Sequence, residues 1–182
     1  MPMFVQGYLV YSSLAKIASG KLDEGRAILD GLLPTLPPDA ASSANIITMA
    51  VAYGHLNLAL GKPEALFAGL DERVRPFREA GFITLLADEH WLRGRAKMAM
   101  GYYDAAREAL LEARAAAEAQ EERAVLWQIL VSSAEVEEAY GDAEAAGKLC
   151  DQARAVVADI AEHAGELRET FLARPDVVSL LD

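Results

Sequence analysis

Few residues of this 182-residue chain are of a type and spacing that could do chemistry. A phosphate-cradling loop needs a glycine-rich turn ending in lysine and a hydroxyl residue. Gly147 and Lys148 come nearest, but Asp142 replaces the upstream glycine and Leu149 follows the lysine, so nucleotide binding is not expected. Ser13 and Lys16 match the Ser-x-x-Lys pattern of acyl-transferring serines, yet the sequence holds neither Lys-Thr-Gly nor Ser-Asp-Asn to complete such a site. Ser13 therefore reads as a small packing residue. None of His55, His90 and His163 has a second histidine three or four positions away, which argues against zinc. Cys150 is the single cysteine, so no internal disulfide forms, and it occupies an apolar slot as a buried, inert thiol. The acid pairs Glu121–Glu122 and Glu137–Glu138 diverge by about 100° on a helix and read as solvated faces. No cofactor, no metal and no catalytic residue is expected.

The elements that must position these residues are set by a repeat. Gly20, Gly61, Gly101 and Gly141 recur at a period of about 40. Two residues before each stands an alanine (Ala18, Ala59, Ala99, Ala139), and three after each an acid (Asp23, Glu64, Asp104, Glu144). Seven before come the small residues Ser13, Gly54, Gly94 and Ala134, and nine after come Leu29, Leu70, Leu110 and Cys150. A glycine ends a helix by reaching the left-handed region, and an acid in the next first turn meets the positive end of the new helix dipole. A small residue two turns earlier admits a close partner helix. Each unit is thus an antiparallel helix hairpin, at approximately 3–38, 39–81, 82–120 and 121–164, followed by a tail over 165–182 whose short helix near 165–173 is stopped by Pro175. Pro63 suits a first helical position, whereas Pro76 should kink or split the second hairpin's later helix near Arg75. The expected fold is all-α, a single domain: a right-handed superhelical solenoid of about four hairpins with a C-terminal capping helix.

Composition agrees with a buried core: 53% of residues are hydrophobic and 25% charged, with a net charge of −11. Acids and bases balance at 10 each in residues 1–100, whereas residues 101–182 carry 18 acids and 7 bases. That asymmetry disfavours nucleic acid and favours a basic or dipolar partner. Gln6, Gly7, Ser12 and Ser13 interrupt the apolar start of the chain, and no positive charge precedes Lys16, so neither a signal peptide nor a membrane span is expected. The expected compartment is the cytoplasm.

The hairpin pattern resembles the tetratricopeptide repeat, most closely in the third unit, where Gly94, Gly101-Tyr102-Tyr103-Asp104-Ala105-Ala106, Leu110 and Ala113 match the family's small-residue spacing. The period exceeds the usual 34, Leu66 and Arg73 stand where the family prefers alanine, and His90 occupies its tryptophan position with Trp91 one place off. The tail Phe171-Leu172-Ala173-Arg174-Pro175-Asp176-Val177 resembles the C-terminal repeat regions of large bacterial signalling ATPases and transcriptional regulators. The resemblance implies a protein- or peptide-binding scaffold, regulatory or sensing in role, whose first helix of each hairpin lines a concave groove. Carried over by register, that groove comprises Thr48, Val51, His55, Asp88, Trp91, Arg95, Gln128, Val131, Glu135 and Glu138. Trp91 and Arg95, one turn apart, would grip a peptide or an anionic group, unless Trp91 is plain core. The family's carboxylate clamp is absent. Two alternatives stay open: an all-helical enzyme with a groove site, and a self-associating structural domain. Phe4, Tyr8 and Tyr11 make the first helix too apolar for a terminal repeat, so a dimer mate or an upstream domain is expected to cover it.

Overall fold

The computed structural model describes residues 3–35, 44–67, 70, 75, 79 and 86–182. These residues are all-α, with no strand among them. In chain order the helices are α1 (Met3–Ala18), α2 (Leu22–Leu32), α3 (Ala44–Ala59), α4 (Leu86–Ala99), α5 (Tyr103–Ala119), α6 (Arg123–Tyr140), α7 (Ala143–His163), α8 (Arg168–Leu172) and α9 (Pro175–Leu181). Leu33–Thr35 and Gly165–Leu167 are single 3-10 turns. A further helix opens at Pro63 and is followed over 63–67. Pro76 and Gly81 lie outside the described residues.

All four framing glycines are left-handed, with φ of +75°, +67°, +79° and +79° at Gly20, Gly61, Gly101 and Gly141. The chain beyond three of them closes back on the ending helix: Lys21 N–H donates to Lys16 O at 2.9 Å, Lys62 N–H to Asn57 O at 2.8 Å, and Asp142 N–H to Glu137 O at 3.0 Å. This bond satisfies a carbonyl the helix end would otherwise leave open. Asp142 also caps α7, its carboxylate accepting from Ala145 N–H at 3.0 Å. The turn into α6 uses the same bond, Glu122 N–H to Ala117 O at 2.9 Å, with Glu121 rather than glycine left-handed at φ +55°.

The chain divides into two compact units, the first taking Arg95–Met100, which holds the end of α4, and the second Leu86–Gly94, the start of α4. The first otherwise holds α1, α2 and α3. Its core gathers Val10, Ile17, Leu29, Leu32, Met49, Ala52 and Leu56, one face from each helix. Two close approaches shape it. A Cβ on Gly25 would fall 2.7 Å from Ile17 Cγ1 and 3.2 Å from Ser13 O, and the buried Ser13 hydroxyl donates to Gly25 O at 2.9 Å.

The second unit repeats the device between α4 and α5, where a Cβ on Gly94 would stand 2.7 Å from Leu110 Cγ. Its other core joins α6, α7 and α9 through Trp127, Leu130, Ala153, Val157, Val177 and Leu180. The tail differs from expectation. α8 ends at Leu172, with Arg174 extended ahead of Pro175, but the same proline also opens α9, at a position where a missing N–H costs nothing, and α9 docks Val177 and Leu180 onto the α6–α7 pair. No described helix is long and apolar enough to cross a membrane.

Candidate functional site

The register residues are shared between the two units, with Thr48, Val51, His55 and Arg95 in the first and Asp88, Trp91, Gln128, Val131, Glu135 and Glu138 in the second. On α3, Thr48 and His55 are half-buried. Burial first, and then the Arg95 guanidinium, hold the His55 imidazole neutral, with its pKa pushed down to about 4. Asp88, in the first turn of α4, has its pKa pushed up to about 6 by burial and then by the charge of Glu122, against the pull of its own backbone hydrogen bond. Glu122 is itself raised by burial, and its Oε2 is buried with no hydrogen-bond partner. Glu122 is thus half-buried, where the acid-pair reading put a solvated face.

Trp91 is only 7% exposed, and its indole N–H donates to Ser132 Oγ at 2.9 Å. The ring is part of the packing between α4 and α6. Gln128 is half-buried and spends its amide on its own helix, donating to Ala124 O at 3.0 Å. The Ser-x-x-Lys pair is also committed, with Ser13 on Gly25 O and Lys16 Nζ 2.6 Å from Glu24 Oε2.

What the structure does bring together lies at the α6 end of the register. Val131, Ala134, Glu135 and Glu138 of α6, Cys150 and Arg154 of α7, and Asp176, Ser179 and Leu180 of α9 line an open cavity of about 200 Å³. Arg154 is held at the wall, Nε donating to Leu180 O at 2.9 Å and Nη1 to Asp151 Oδ1 at 3.1 Å. Asp176 is engaged by Arg174 at 2.6 Å. Glu135 and Glu138, exposed and one turn apart, make no ion pair among the described residues. Cys150 is half-buried and faces this cavity, a correction to the buried thiol its apolar slot implied. The floor of Val131, Ala134 and Leu180 can take a methylene stem, and the two carboxylates can take a cationic head.

Sequence reasoning missed Arg154, Asp176, Ser179 and Leu180. They belong to the cavity because α9 docks, and the proline that starts α9 reads equally as a stop. No group of three or more His, Cys, Asp or Glu side chains among the described residues could hold a metal ion. No family model, curated protein or solved structure matches this chain.

Proposed function

We propose that this chain is a non-catalytic helical-repeat scaffold that binds a basic segment of a protein partner, with the α6–α7–α9 cavity as its anchor point. In keeping with the resemblance, it serves as a regulatory module of a cytoplasmic signalling protein. One observation carries the reading: Glu135 and Glu138 stand uncommitted over an apolar floor while the basic and acidic groups beside them are already paired. A lysine or arginine side chain fits that combination, its stem on Val131 and Leu180 and its charge between the carboxylates. The surplus of acids over residues 101–182 would steer a basic segment toward the same half of the sequence.

The test is the anisotropy of a labelled oligoarginine peptide at fixed salt. Exposed carboxylates contribute modestly, so Glu135→Gln with Glu138→Gln is expected to weaken binding by roughly 3- to 10-fold. Glu166→Gln with Glu169→Gln, equal in charge but outside the cavity, should change little. Bound peptide should also slow the reaction of Cys150 with a thiol reagent. Equal loss in the two double variants, with no protection of Cys150, would reduce the binding to general electrostatics and reject the site.

A further inference from the structure

We propose that α9 is a strap that seats on α6 and α7 as a unit, and that a cation held by Glu135 and Glu138 closes it. This rests on the α6–α7–α9 cavity taking a cationic side chain, as proposed above, and it adds what regulates that site.

The attachment of α9 is narrow. Of its residues only Val177 and Leu180, one turn apart, are buried, against Trp127, Leu130, Ala153 and Val157 of α6 and α7. One hydrogen bond ties down the far end, from Arg154 Nε to Leu180 O at 2.9 Å. The near end hangs on Arg174, extended at φ −63° and ψ 135°, whose guanidinium lies 5.7 Å from the Trp127 ring. A helix held by so few contacts, on a joint of one extended residue, opens before the helices beneath it do.

Charge opposes the seating. With α9 in place, Asp176 joins Glu135 and Glu138 around a cavity of about 200 Å³ whose one basic wall residue is Arg154. Arg154 is engaged by Leu180 O and Asp151, and Arg174 by Asp176. The two α6 carboxylates therefore face a third acid that α9 brings with it. A cation between Glu135 and Glu138 removes that opposition, and its stem rests on Leu180 of the seated helix. The stem contact exists only while α9 is seated. That difference in affinity between the two states is what lets a ligand shift the strap, and seating must raise affinity for the ligand in return.

Hydrogen exchange on the whole chain follows the strap through the amides of residues 178–182, where Val178 N–H donates to Arg174 O at 2.9 Å and Asp182 N–H to Val178 O at 3.1 Å. In the free chain these amides are expected to exchange as one group, roughly tenfold or more faster than those in the middle of α7. The oligoarginine peptide at ten times its Kd should slow them by roughly tenfold. Glu135→Gln with Glu138→Gln should slow them by roughly two- to fivefold without peptide and remove most of the peptide's effect. Val177→Asn, which loosens the seat without touching the cavity wall, should weaken the peptide by roughly fivefold or more while circular dichroism shows the other helices intact. Amides of α9 that exchange as slowly as those of α7 would make the helix a fixed part of the bundle and overturn the proposal. A peptide that needs Glu135 and Glu138 yet leaves α9 exchange unchanged, or hastens it, would overturn the proposal and keep the cavity as the binding site. Peptide binding that ignores both carboxylates would overturn the cavity as the binding site, and closure by a cation with it, even where α9 exchanges fast.

Discussion

Asp88 and His55 carry opposite linkages between protons and folding. The carboxyl of Asp88 titrates near 3.8 when solvated and about 6 in the folded chain, so the folded state binds more protons between those values and stability falls as pH rises through them. The loss reaches at most ~3 kcal/mol. His55 moves from 6.5 to about 4, so the folded state binds fewer protons and stability falls, by a similar ~3 kcal/mol at most, as pH drops through that window. The two largely offset each other in the intact protein. Asp88→Asn is therefore expected to raise stability by ~1–3 kcal/mol at about pH 7.5 and to leave it unchanged near pH 4, as read by urea denaturation. His55→Gln should remove the loss on acidification. A parallel shift of the whole profile in either variant would mean that the group titrates as if in water. The packing roles of Ser13 and Gly94 were legible in the sequence, because a small residue at a fixed distance from a turn has a steric meaning independent of its neighbours. The state of Asp88 was not, since it depends on Glu122, supplied from the turn that leads into α6.

Among the elements, the close approach of α4 and α5, like that of α1 and α2 at Gly25, is exposed to a single change. A Cβ at Gly94 meets Leu110, which is 1% exposed and has nowhere to retreat. Gly147 in α7 meets nothing within 4 Å. Gly94→Leu is expected to cost ~1–3 kcal/mol or more through overpacking. Gly147→Ala should be neutral or stabilising by up to ~1 kcal/mol through reduced freedom of the unfolded chain. Thermal melts of the two variants check this, and equal midpoints would show that the helices can part at Gly94. Helix positions were legible because a left-handed glycine followed by an acidic first turn is a local signal. The turn at Glu121 lacks its glycine, and the start of α9 is ambiguous for a local reason. A proline after Arg174 permits either an ending or a beginning, and the docking of Val177 and Leu180 decides which.

For the molecule as a whole, the period of about 40 made an all-helical chain legible before any coordinate. The exposure of Phe4, Tyr8 and Tyr11 was legible too, since a helix apolar on several sides cannot bury all of them within one hairpin. The α6–α7–α9 cavity was less legible, because Arg154, Asp176, Ser179 and Leu180 line it only once α9 docks, and no register states that docking. Both tryptophans of the chain, Trp91 and Trp127, are buried at 7% and 3% exposure, and both belong to the second unit. Trp91 senses the docking of α6 through Ser132, and Trp127 senses the tail through the Arg174 guanidinium 5.7 Å above its ring. The first unit carries tyrosine and phenylalanine only. Intrinsic emission excited at the red edge of the spectrum is thus deaf to half of the protein, and any interval between an emission-detected melt and a far-ultraviolet one times the loss of α1, α2 and α3 separately from the rest.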